Sequence, residues 1–142
     1  MAPARKASDT DMALTLMFEV GRIMRQAIVS ESSMPLSLSC AEALKFIEEA
    51  HTPTMRDLAE RLRITAPSAT AIVECLATDG YVSRKVDTKD RRVTRLMLTK
   101  KGGALLKKIA RIKTKTLRGL VSSLSVTDRK EFIKILSKIV HS

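Results

Sequence analysis

Apolar residues recur along this chain with two different periods, and the places where the period changes divide it into elements. Between residues 11 and 29, Ala13, Leu16, Met17, Val20, Ile23, Met24, Ala27 and Ile28 return every three or four positions. That spacing predicts an amphipathic helix with a wide apolar stripe. Asp9, Thr10 or Asp11 can cap its start, and the SESSMP run from Ser30 ends it. Ser39 followed by Glu42 reads as a capping box that opens a second helix, Cys40 to about Ala50. Ala43, Leu44, Phe46 and Ile47 would form its inward face. Thr54 and Asp57 repeat the signal for a third helix, Met55 to about Leu62. After a break at Arg63 and Ile64, Thr65 is placed to cap a fourth helix running to Thr78, with Pro67 in its first turn and Gly80 closing it. Its core side would use Ala69, Ile72, Val73 and Leu76. Two short helices joined by three or four residues, the second opening on small polar side chains, describe a helix-turn-helix.

The period then shortens to two. Tyr81 to Val86 and Val93 to Leu98 alternate as strands do, and the six residues between them are polar and turn-rich. A hairpin with a basic tip directly after a helix-turn-helix is a wing. The remainder is helical. Thr99 would cap a helix from about Lys100 to Ser123, with Leu105, Leu106, Ile109, Ile112, Leu117, Leu120, Val121 and Leu124 on its apolar side. Ser125 with Asp128 opens a last helix, about Val126 to Val140, whose apolar face is Phe132, Ile133, Leu136, Ile139 and Val140. These two helices and the first carry more apolar stripe than a small winged core can cover. A second copy of the chain would bury it, which gives a two-fold dimer. The fold class is therefore mainly α with a small β-wing. Residues 1–35 form an N-terminal dimerisation helix, 36–100 a winged helix-turn-helix domain, and 101–142 the C-terminal dimerisation helices.

Composition narrows what such a fold does. The chain has 142 residues, 26 of them Lys or Arg and 15 Asp or Glu, a formal charge of +11. The first 50 residues hold five basic against seven acidic side chains, whereas residues 51–103 hold eleven against six and 104–142 ten against two. A surplus placed in this way favours a polyanion, by Coulomb attraction and counterion release. No run reaches the roughly 18–20 apolar residues a membrane span needs, and the N-terminus lacks the apolar core of a secretory signal, so the expectation is a cytoplasmic protein with no membrane partner. Cys40 and Cys75 lie 35 residues apart, outside any metal-ligand spacing, and His51 and His141 are too few for a metal centre. No phosphate loop, dinucleotide fingerprint or nucleophile elbow is present. Neither an enzyme nor a metal or cofactor is expected.

Asp87-Thr88-Lys89-Asp90-Arg91-Arg92, followed by Leu98-Thr99-Lys100-Lys101-Gly102, resembles the D-x-x-D-R-R wing and L-T-x-x-G motif of the MarR family of winged-helix transcriptional regulators. Ile64 to Thr70, Leu76 and Gly80-Tyr81-Val82 support it, and the resemblance runs in order over nearly the whole chain. It implies a homodimer on double-stranded DNA, a repressor in most cases, with recognition helix 65–79 in the major groove and wing 82–98 in the minor groove. By position, Arg92 would enter the minor groove and Asp90 would hold it, with Arg91 beside them. A planar, weakly hydrated guanidinium suits a narrow groove of negative potential. Thr65, Ser68 and Thr70 would meet phosphates and base edges, and Arg84, Lys85 and Lys89 backbone phosphates. Relatives often carry a long polar side chain where this chain has Ala71, and Gln or another reader at Ala66. Short side chains make few bidentate base contacts, so the expected specificity ratio stays below about 10⁵.

Four readings stay open beside this one. A DNA-coating architectural protein would share the charge and the small recognition helix, and winged helices also bind proteins. Cys40 and Cys75 are either small hydrophobes or redox-responsive thiols, since some proteins of this type sense oxidants through cysteine. A small-molecule effector is common in the family, but no Trp, one Tyr and three Phe leave few rings to stack on it. Seven methionines, among them Met17 and Met24 at helical spacing, fit core or dimer packing better than a ligand pocket. Lys107, Arg111 and Arg118 fit the solvated face of a long helix better than added phosphate contacts.

Overall fold

The computed structural model describes residues 7–32 and 37–142. In chain order these residues form α1 (Asp9–Ser32), α2 (Leu38–Ala50), α3 (Met55–Leu62), α4 (Ala66–Thr78), β1 (Val82–Val86), β2 (Thr94–Leu98), α5 (Lys100–Ser122) and α6 (Val126–Val140). Helix starts are set by side chains that take over the free amide protons of the first turn. Thr54 and Asp57 form the reciprocal box at α3, with Asp57 N donating to Thr54 Oγ1 at 3.0 Å and Thr54 N to Asp57 Oδ2 at 2.9 Å. Thr65 accepts from Ser68 N at α4, and Ser125 accepts from Asp128 N at α6. Two expected caps are displaced. At α2 the cap is Ser37, extended at φ −64° and ψ 154°, which accepts from Cys40 N; Ser39 already lies in the first turn, so its box with Glu42 does not form. At α1, Ser8 accepts from Asp11 N and donates its own amide to Asp11 Oδ2, so Asp11 is the partner of the cap. The Ser-Met-Pro part of the run that ends α1 lies outside the described residues.

The described residues divide into two compact units. One runs from α2 to Ala110 of α5 and holds a closed core. Leu44 and Ile47 from α2, Leu58 from α3, Val73 and Leu76 from α4 and Leu96 from β2 are fully buried, and Leu105 and Ile109 extend this set along α5. Each such side chain stabilises the fold by about 1.5–3 kcal/mol relative to exposure. Phe46 and Ile72, expected inside, are half-buried. β1 and β2 pair antiparallel from Val82 opposite Leu98 to Val86 opposite Thr94. Leu96 N donates to Pro53 O, and Thr54 bridges Arg95, so the loop before α3 adds a short third edge to the wing. Two residues are too few to show a period, and the sequence gives no sign of this edge.

Arg63 (φ 53°) ends α3 in the left-handed region, and Gly80 (φ 78°) does the same after α4. The two turns aim α4 and β1. Thr99 then locks the start of α5 to the second turn, its Oγ1 donating to Gly80 O at 2.6 Å and accepting from Gly102 N at 3.0 Å.

The other unit is α1, α5 from Arg111, and α6. Arg129 Nη2 donates to Leu124 O at 3.1 Å in the turn before α6 and to Ser122 O at 3.4 Å, a cation on the carbonyl end of α5. α6 has no buried residue, and Phe18 of α1 and Val140 of α6 are 73% and 74% exposed.

Candidate nucleic-acid interface

The hairpin tip is built around two aspartates. Asp87 Oδ1 accepts from Lys89 N at 2.8 Å and Asp90 N at 3.2 Å, which folds the turn. Its Oδ2 accepts from Arg95 Nε at 2.6 Å, and Arg95 Nη1 donates to Thr52 O at 3.0 Å, so one side chain ties the wing to the loop before α3. The Arg95 guanidinium first, and then the two amides, hold the Asp87 carboxyl down to about 2. Asp90 accepts from Arg92 N at 3.0 Å, Arg92 Nε at 3.2 Å and Arg92 Nη2 at 3.3 Å. The Arg92 side chain is nonetheless 91% exposed: it is held by its fork and presented outward. Lys89 and Arg91 flank it in the open. Arg84 and Lys85 are exposed neighbours in β1, and the pleat sends them to opposite faces of the hairpin.

On α4 the three expected contact residues are exposed, but two of their hydroxyl protons are already engaged. Thr65 Oγ1 donates to Ser68 Oγ at 2.9 Å and Thr70 Oγ1 to Ala66 O at 3.0 Å. In this arrangement Thr65 and Thr70 offer lone pairs outward, and the proton of Ser68 is the free one. A cleft of about 680 Å³ joins α3, α4 and the wing, lined among others by Arg56, Arg63, Thr70 and Arg92. Arg56 is paired with Glu60 at 3.0 Å. Sequence reasoning missed Arg56, Arg63 and Arg95, and it named Asp87 only as part of the wing motif, with no role. The basic positions of α3 were visible as charge, but the reach of Arg95 across eight residues to Asp87 needs the hairpin register.

Cys40 is buried at the start of α2, and Cys75 is exposed on α4 with its Sγ 4.0 Å from Asp79 Oδ2. Partial desolvation of the sulfur first, then Cys40 and the Asp79 carboxylate, push the Cys75 thiol up. That is the reverse of the depression a peroxide-reactive thiol needs. Among the described residues no cluster of three His, Cys, Asp or Glu could hold a metal, and no helix is long and apolar enough to cross a membrane.

A family model described as MarR family matches residues 34–93. The uncharacterized HTH-type transcriptional regulator Mb0904 of Mycobacterium bovis is 30% identical over 122 residues, which cover 86% of this chain and 85% of that protein. The chain belongs to the MarR family. It is a DNA-binding winged-helix transcription regulator, not an enzyme. The repressor YetL of Bacillus subtilis is 28% identical over 68% of this chain and 58% of its own length. Among solved structures, a Staphylococcus aureus MepR variant bound to an oligodeoxyribonucleotide shares the fold with a TM-score of 0.77 at 20% identity, covering 96% of this chain and 98% of that one.

The Asp87–Arg95 pair is testable by acid. A carboxyl held near 2 when folded and near 3.8 when unfolded contributes stability above the unfolded value, and that stability is lost as pH falls through the folded one. Between pH 4 and pH 2 the unfolding midpoint of the wild type should therefore drop more steeply than that of Asp87→Asn. Parallel curves would show that Arg95 does not hold the carboxylate.

Proposed function

We propose that this MarR-family chain acts in the cytoplasm as a homodimeric repressor on a pseudo-palindromic duplex site. Recognition helix 65–79 lies in the major groove and wing 82–98 in the minor groove. Residues 36–100 do the binding, and the segments 1–35 and 101–142 the pairing. The observation that carries this reading is Arg92, nine-tenths exposed yet gripped at three points by Asp90. A guanidinium held in place loses little freedom on entering a groove and needs little dehydration. Lys89 and Arg91 at the same tip, with Arg56 and Arg63 at the cleft, supply the charge that phosphates attract. Pairing is supported by the apolar side chains that α1 and α6 leave exposed, among them Phe18, Ile133, Ile139 and Val140. The repressor YetL among the relatives and the oligonucleotide bound to the MepR variant support the direction and the partner.

Arg92→Ala should weaken binding of a selected duplex at moderate salt by about tenfold or more, a loss of roughly 1.4 kcal/mol. Fluorescence anisotropy reads it directly, and unchanged affinity would remove the wing from the interface. One observation favours a second reading, an architectural protein with little sequence preference: α4 presents mainly small side chains outward. Competition between selected and random duplex separates the two, a ratio near one marking the coating protein.

A further inference from the structure

α4 carries no Lys, Arg, Asn or Gln between Ala66 and Thr78. Its core side is Ala69, Val73 and Leu76. At 100° per residue the opposite side is Pro67, Ala71, Glu74 and Thr78, so Glu74 is the one long polar side chain on the outward face. It is exposed and has no ion pair or hydrogen bond among the described residues. The positions three and four residues away on its own helix are Thr70, Ala71, Ala77 and Thr78, none of them basic. Thr70, one turn earlier, also presents lone pairs only, because its proton goes to Ala66 O. From Thr70 to Glu74 the outward face thus offers acceptors and methyl groups, and no donor.

We infer that Glu74 is a specificity-determining residue that accepts a hydrogen bond from an exocyclic amino group in the major groove, cytosine N4 or adenine N6. The inference rests on the reading of α4 as the recognition helix. A carboxylate brought between phosphate backbones is repelled and loses its water, and only a donor on the base edge compensates. Guanine N7 and O6 and thymine O4 are acceptors and leave it unpaired. Glu74 therefore selects by exclusion as much as by attraction. This differs from the arginine-to-guanine readout, for which α4 has no side chain.

The test is selection from a random duplex pool with the full chain, with Glu74→Ala and with Glu74→Gln. Position 74 is exposed and both substitutions are helix-compatible, so all three proteins fold. The wild type should enrich an amino-bearing base at one position of each half-site, by about tenfold over its alternatives. Replacing that base by its analogue without the amino group, purine for adenine or 2-pyrimidinone for cytosine, should cost the same factor and tells the two sources apart. Glu74→Ala should lose this preference and bind random duplex more tightly, and Glu74→Gln should begin to accept guanine there. If the wild type and Glu74→Ala select the same sequences and differ by one common factor, Glu74 acts only as a repelling charge and the inference is overturned. Failure of the wild type to bind any duplex would overturn the reading of α4 itself, and this inference with it.

Discussion

Ile139→Asp should convert a dimer into a monomer and weaken duplex binding by at least about a hundredfold. In one protomer Ile139 is 56% exposed, and so are its neighbours Ile133 and Leu136 at 57% and 42%. An aspartate at such a site in a monomer would be nearly neutral, within about 0.5 kcal/mol. Against a second copy it would place an unpaired carboxylate in an apolar contact, at a cost of several kcal/mol. On the proposed reading the second half-site is engaged intramolecularly, and that gain of roughly 10²–10⁴ would disappear with the dimer. Sedimentation gives the mass and anisotropy the affinity. A variant that stays dimeric with unchanged affinity would show that α6 is not the pairing face.

Two adjacent glycines should respond to alanine with opposite signs. Gly102 sits in the first turn of α5, and a Cβ there would overlap the carbonyl oxygen of Tyr81 and come within 2.9 Å of Leu98 Cδ1. That carbonyl is fixed, since it accepts from Thr99 N at 3.1 Å, and it cannot swing aside as a side-chain tip would. The close approach is held from both ends, because Lys101 Nζ donates to Asp79 O at 2.7 Å and lies 4.8 Å from the Tyr81 ring centre. Gly102→Ala should therefore destabilise by about 1–3 kcal/mol, the usual range for forcing a methyl into a packed site. At Gly103 the nearest atom would be Leu98 Cδ2 at 3.8 Å, an ordinary contact, and alanine there should stabilise by about 0.5–1 kcal/mol through helix propensity. Urea unfolding of the two variants reads both. A stabilising Gly102→Ala would mean that the junction between wing and α5 is loose.

Most of the fold was legible because its signals are local. The Thr54–Asp57 box, the Thr65 cap with Pro67 and the Gly80 stop each lie within four residues, and each is found where the spacing puts it. The displaced caps have a common cause. Ser37 and Ser39, like Ser8 and Asp9, are chemically equivalent cap formers, and which one serves depends on which backbone is extended. The Asp90–Arg92 contact was visible through a resemblance, whereas the Asp87–Arg95–Thr52 tie required folded geometry. The engaged hydroxyls of Thr65 and Thr70 were equally hidden. A residue type states which donors it owns and says nothing of where they point.

Hydroxyl-radical footprinting of the full chain on a selected duplex tests the central claim most directly. A homodimer reading successive major grooves should protect two discrete, symmetry-related half-sites centred about 10–10.5 base pairs apart, roughly 34–36 Å, with the minor-groove positions under the wings exposed again in Arg92→Ala. Uniform protection along the duplex, or a footprint identical in Arg92→Ala, would contradict it.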